Sequence, residues 1–330
     1  MHGSHGLPGR RIREVRYYNL VRLEVLSGAT WKPLSSTDRF PPFEVAPMSD
    51  DHYENFPVAS VLVPRRFRGP IAAIYWFARS ADDIADEGDD PPPVRLAALN
   101  AYRRRLDDIE RGVEFSAPQW SRLAKTVVVH RLPLPPFRDL LDAFSQDVVK
   151  SRYTDFAELD HYCRRSANPV GRLLLHLFGA ATDQNIRDSD DICTALQLLN
   201  FCQDVRIDFD KNRIYIPQDE MAIVGIDEHQ IARGSVDARW QRLFTMQLDR
   251  ALALLDRGKP LALRVPGRFG LELRAIVAGG ERIGVRLRAT GGDVFHRRPT
   301  LSKVDWFIVA WRTLFPAACA PRATTPAAAR

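Results

Sequence analysis

From Gly69-Pro70 to residue 289 the apolar residues recur at helical spacing, and convincing strand alternation is scarce. The segment IAAIYWFARSADDIADE follows Gly69-Pro70, with proline at a first-turn position, and ends at Gly88 before Pro91-Pro92-Pro93. Further helical windows cover roughly 94–111, 136–151, 155–181, 189–209, 238–257 and 271–289. A chain so patterned is restricted to helix-on-helix packing. We expect one all-α domain over 48–315 without internal repeats. Several of its helices are apolar on more than one face, which suits a bundle around a core or an apolar cavity. Residues 1–47 lack a sustained apolar period and read as a poorly ordered N-terminal extension; 316–330 read as a flexible C-terminal tail.

Within this pattern two stretches carry charge that helix formation does not call for. ARSADDIADEGDD puts acids at a helix C-terminus, where they oppose the macrodipole and repel one another. At 100° per residue Ile74, Ala78, Ala81 and Ala85 form a slim apolar stripe. Tyr75, Arg79, Asp82 and Asp86 form a second stripe beside it, with Asp83 and Glu87 adjacent. The stretch QLLNFCQDVRIDFDKNR repeats the theme: Gln197, Asn200, Asp204 and Asp208 share one side, and Lys211 and Arg213 follow. A solvated acidic face would explain either stretch alone. Mg2+ explains both, because a hard cation seeks oxygen ligands and removes the repulsion between carboxylates one turn apart. Two facing helices so armed would hold a metal cluster completed by a diphosphate.

Composition narrows the alternatives. Lys and Arg outnumber Asp and Glu by 47 to 41, a formal net charge of +6, which admits nucleic acid, an anionic membrane surface or an anionic small substrate. The basic runs Arg103-Arg104-Arg105 and Arg297-Arg298 read as solvated faces, and no nucleic-acid module accompanies them. No nucleic-acid partner is expected. Cys163, Cys193, Cys202 and Cys319 show no metal-ligand pairing, and a reducing compartment fits them. Within 48–315 no two histidines take a ligand-like helical spacing, and the G-x-S-x-G and P-loop signatures are absent. PGRFGLELR reads as a turn into a helix. With no run of about 18 apolar residues and no signal-peptide core, a cytoplasmic protein is expected, with peripheral contact at the inner face of the membrane left open.

Four motifs in order carry a resemblance to the squalene/phytoene synthase family: HYENF, YWFARSADDIAD, DVVKSRYTDFAELDHYCRRSANPVGRL and QLLNFCQDVRIDFDKNRIYIP. Within it the chain is most similar to bacterial hydroxysqualene synthases of hopanoid biosynthesis, through ENFPVAS, YCRRSANPVGRL, PGRFGLELR and GGDVFHRRP. The resemblance implies an all-α isoprenoid-synthase helical bundle enclosing a central apolar cavity. It also implies Mg2+-dependent ionisation of presqualene diphosphate, with water capture giving hydroxysqualene and diphosphate. Its pathway neighbours would be other isoprenoid enzymes. The departures are Asn168-Pro169 in place of the usual glycine, Asn55 where serine is common, and Gln203 where arginine precedes the acid in synthases that handle two diphosphates. The missing cation fits a catalyst that accepts one condensed substrate.

Carried onto this sequence, the motifs make Asp82, Asp86, Asn200, Asp204 and Asp208 metal ligands, with Asp83 or Asp147 nearby. His52, Asn55, Arg79, Gln203, Lys211 and Arg213 would meet the substrate's diphosphate; for Arg79 the structural alternative is an i,i+3 pair with Asp82. Tyr75 and Tyr162 would face carbocations or steer a proton, or else pack in the core, and Asn168 would hold the incoming water or cap a turn. Tyr215 is expected to pack. Leu174, Leu177 and Phe178 fit a tunnel wall as well as a core. No Gly-rich nucleotide loop is seen, so NADPH is not expected. The alternatives are a presqualene diphosphate, squalene, or phytoene/dehydrosqualene synthase joining two prenyl diphosphates, and a non-catalytic relative serving as a scaffold.

Overall fold

The structure, a computed structural model, describes residues 63–315. Among them are thirteen helices and no strand. In chain order they are α1 (Arg65–Asp86), α2 (Pro92–Glu110), α3 (Pro118–His130), α4 (Pro135–Val149), α5 (Phe156–Ser166), α6 (Asn168–Leu177) and α7 (Asp183–Asp210). There follow α8 (Gln218–Val224), α9 (Glu228–Arg233), α10 (Ala238–Gly258), α11 (Leu261–Arg264), α12 (Gly267–Ala289) and α13 (Lys303–Leu314). The expected extension at 1–47 and tail at 316–330 lie outside the described residues.

Proline punctuates the chain much as the sequence suggests, opening α2, α3, α4 and α6 in the first turn, where its missing N–H leaves nothing unsatisfied. At α1 the outcome differs. The helix begins at Arg65, and Pro70 lies inside it. An interior proline ordinarily costs about 3 kcal/mol. Here the early turn is secured by side chains: Phe67 meets Phe178 at a tilt with ring centroids 4.5 Å apart, and Arg68 donates to the Val63 carbonyl at 3.3 Å. The window over 155–181 also divides. The chain turns at Ala167, φ −113°, between α5 and α6, and Pro169 falls in the first turn of α6, where its missing N–H is tolerated.

Two apolar clusters make the core. One gathers α1–α4 around an aromatic knot in which Trp120 meets Trp76, Phe77 and Tyr102 edge-on. The other surrounds α7, the longest described helix, with α10 and α12 against it. Close approach there relies on glycine: a Cβ at Gly258 would stand 2.5 Å from the Asp188 carbonyl oxygen, and one at Gly280 would stand 2.8 Å from Leu196. On α6, Leu174 touches both clusters, so this short helix is the joint between them. Gly279 is buried, and no described atom lies within 4 Å of where its Cβ would be.

Candidate active site

The inner acids of α1 and α7 are buried, while Asp83, Glu87 and Asp210 at the margins still reach solvent. Asp82 is 2% exposed, Asp204 and Asp208 are each 3% exposed, and Asn200 and Asp147 are buried with them. The solvated-face reading therefore fails for Asp82, Asp204 and Asp208 and holds for Glu87 and Asp210. Ionised groups in such surroundings need compensating charge, and the chain supplies it unevenly.

On α1, Arg79 faces the acids as the helical stripe requires, but its closest partner is Asp83 at 2.6 Å, with Glu87 at 3.2 Å and Asp82 only at 3.6 Å. Its i,i+3 pairing with Asp82 is thus the loosest of three. One oxygen of Asp82, Oδ1, is buried and accepts no hydrogen bond. Burial, then the neighbouring Asp86, raise the Asp82 pKa well above the carboxylate range, and Arg79 only partly offsets them. Burial likewise lifts Asp83 to about 6, against the pull of Arg79. The carbonyls that end α1 are met from the next helix: Arg95 donates to the Ala85 oxygen at 2.7 Å and to the Gly88 oxygen.

The ends of α1 and α7 are joined by one side chain. Past α7 the chain turns through Asn212 in the left-handed region, φ 58°, and the Arg213 amide donates to the Asp208 carbonyl at 2.8 Å. This aims the Arg213 guanidinium across the site to Asp86 at 2.6 Å, with the Asp147 carbonyl at 3.4 Å. Two residues on, Tyr215 stacks on Phe201 with centroids 3.8 Å apart, packing as expected. Tyr162 lies in the same aromatic group and donates its hydroxyl to Asp147 Oδ2 at 2.9 Å, which connects α5 to α4 beneath the acids. Burial pushes the Tyr162 phenol pKa up, so it stays protonated and able to donate.

Arg298 is the functional candidate missed in the sequence. It binds the Asp204 carboxylate through Nε and, at 3.4 Å, through Nη2. The solvated reading of the 297–298 run holds for Arg297, which is exposed, and fails for Arg298. Gln203 faces the same segment and donates to the Pro299 carbonyl at 2.8 Å. A buried acid in a distant helix was the available signal, but nothing local in HRRP tells which arginine turns inward.

The other expected residues disperse. Tyr75 is half-buried on the Arg79 stripe, and burial raises its pKa. Asn168 is buried, its Oδ1 accepting from Thr194 at 3.0 Å. Lys211 is exposed at the C-cap of α7. Leu177 lies in the first core cluster, Leu174 between the two, and Phe178 between the rings of Phe67 and Phe269. His52 and Asn55 lie outside the described residues.

An all-oxygen set of carboxylates and one amide suits a hard cation better than a soft one. Asp82, with a buried oxygen that accepts nothing and a raised proton affinity, is where a divalent charge would be most favoured. Asp86 and Asp204 meet guanidinium groups instead, and among the described residues no three acid, histidine or cysteine side chains converge as a ready metal set.

Comparison with known proteins now bears on this arrangement. The family described as squalene/phytoene synthase matches residues 49–305, which span both acid pairs, Arg213 and Arg298. The chain belongs to the squalene/phytoene synthase family. Members of this family are enzymes that process prenyl diphosphates. The chain is 35% identical over 260 residues to a hydroxysqualene synthase of Rhodopseudomonas palustris, covering 78% of this chain and 87% of that protein. It is 32% identical over 251 residues to a phytoene synthase of Mycobacterium tuberculosis, covering 75% and 82%. Among solved structures, a squalene synthase HpnC from Alicyclobacillus acidocaldarius superposes with a TM-score of 0.69 at 38% identity, over 73% of this chain and 90% of that one. The expected fold is thereby shown. No described helix of this family member is long and apolar enough to cross a membrane.

Proposed function

We propose that this protein is a hydroxysqualene synthase that ionises presqualene diphosphate, lets water capture the rearranged cation and releases diphosphate. The observation that carries the reading is the pair of buried acid clusters on α1 and α7, linked by Arg213. Likeness to hydroxysqualene synthases, at 35% and 36% identity, supports the product class.

Asp82, Asp86, Asn200, Asp204 and Asp208 would hold Mg2+, which would supply Lewis-acid charge for a departing diphosphate. Arg213 and Arg298 are half-buried guanidinium groups next to those acids, and they could form charge-assisted hydrogen bonds to phosphate oxygens. The Tyr162 face, backed by Phe201 and Tyr215, offers π-density to a cation. Its hydroxyl, bonded to Asp147, defines a route by which a proton from water would reach a carboxylate. Gln203 is engaged with the Pro299 carbonyl, and the cation beside Asp204 comes from Arg298 instead.

The purified protein, given presqualene diphosphate and Mg2+, is expected to form hydroxysqualene carrying 18O from labelled water. Rapid condensation of two farnesyl diphosphates with no turnover of presqualene diphosphate would replace this reading with the second one, a synthase joining two prenyl diphosphates. The likeness to phytoene synthases over three quarters of the chain favours that second reading. Absence of diphosphate release from any prenyl diphosphate would leave the scaffold role.

A further inference from the structure

We infer that α13 is a docking helix that lies on an anionic lipid surface. Its side chains are arranged inside out for a helix meeting water. The buried positions are Asp305, Val309 and Thr313, two of them polar. Asp305 is fully buried and held by Arg282, Arg286 at 2.7 Å and Ser302, with Ser302 and Asp305 also closing a capping box at the N-terminus. Apolar contact with α12 is limited to Ala275, Ala278, Val309 and Trp306. An ion cluster with a small apolar contact therefore fixes the helix to the bundle, and most of its large apolar side chains are turned away from it.

The outward face carries Val304 at 66% exposure, Phe307 at 71%, Trp311 at 51% and Leu314 at 63%. Their spacing places them along one side of the helix, and the Trp311 ring is extended by Phe315 with centroids 4.4 Å apart. A contiguous face of large apolar side chains marks a surface meant to be covered.

Charge selects the occupant. The exposed residues of α13 include Lys303 and no carboxylate. Arg297 is exposed just before the helix, and the fifteen residues after Phe315 contain Arg322 and Arg330 and no acid. Tryptophan and phenylalanine on one face with lysine or arginine at its edges is the pattern of a helix lying in a headgroup layer. A second copy would bring two basic margins together. An anionic bilayer complements both the margin and the net charge of +6.

The full chain is to be sedimented with vesicles of phosphatidylcholine alone and with added phosphatidylglycerol, beside the variant Phe307→Ser/Trp311→Ser. Both changes lie on the exposed face, and circular dichroism checks that the variant is folded. Wild type is expected to bind the anionic vesicles, more weakly in high salt, and the variant to bind at least about tenfold less. Equal binding by both proteins, or none by wild type, overturns the inference. Light scattering that shows a wild-type dimer and a monomeric variant, with neither bound to vesicles, assigns the face to a second copy. Protection of Phe307 and Trp311 from carbene labelling in the vesicle-free monomer assigns it to the chain's own remaining residues. None of these outcomes depends on which diphosphate the enzyme accepts.

Discussion

At Asp82 the fold holds a carboxyl group whose charge it does not fully neutralise. Asp82→Asn should lower turnover on the order of 10²-fold, as loss of one preorganised electrostatic group commonly does. The same change should raise the melting temperature in Mg2+-free buffer, since it removes a buried acid raised by burial and by Asp86. A purely structural carboxylate would give the opposite sign in the melt. Arg298→Ala leaves the buried Asp204 without its guanidinium and should cost about 3–5 kcal/mol. Adding Asp204→Asn should recover much of that in a double-mutant cycle read by urea unfolding. Glu272 is another buried acid, on α12 and remote in sequence from both pairs, and burial alone lifts its pKa from 4.5 to about 7. A folded pKa above the unfolded one contributes stability that is complete below pH 4.5 and lost as pH rises through 7. Glu272→Gln should therefore flatten the pH–stability curve in that window and make the protein more stable at pH 8 than wild type, by about 3 kcal/mol. Parallel curves for the two proteins would refute the assignment.

Among the elements, α7 and α10 meet closely at Gly258. Gly258→Ala puts a methyl carbon against the Asp188 carbonyl and Ile192, backbone that has no rotamer to change. A loss of about 1–3 kcal/mol is expected from thermal unfolding. Gly284→Ala meets the far end of Leu252 instead and should cost less. Elements with a clear apolar period were legible in the sequence, and α2, α4, α10 and α12 match their windows closely. α3 was not. Its run Thr126-Val127-Val128-Val129 favours strand, and what makes it helical is tertiary: Trp120 locks into the aromatic knot of α1 and α2. α13 escaped for the converse reason, because its apolar stripe is on the outside and its anchor is a single buried aspartate. The start of α1 was misplaced because a proline was weighed without the distant Phe178 that stabilises the turn before it.

For the whole molecule, the order of motifs along the chain was enough to state the architecture, and helix geometry was enough to stack the acids. Burial of those acids and the identity of their cations depend on segments far apart in sequence, Arg213 reaching α1 and Arg298 reaching α7, and no local pattern encodes either. If the acids hold Mg2+, the ion should raise the melting temperature saturably, as any ligand of the folded state does, and the shift should shrink in Asp82→Asn. An Mg2+-insensitive melt would count against the site. The segment from Lys211 to Tyr215 carries a last consequence. Surface connections usually absorb an inserted residue with little harm. This one is pinned at Asp208 behind it, at Phe201 by the Tyr215 ring, and at Ser151 through the Ile214 amide at 2.9 Å. It is a tether of fixed length between the two halves of the bundle. One added glycine would unseat either the ring or the cation, so relatives that keep this chemistry should vary in loop length almost anywhere else.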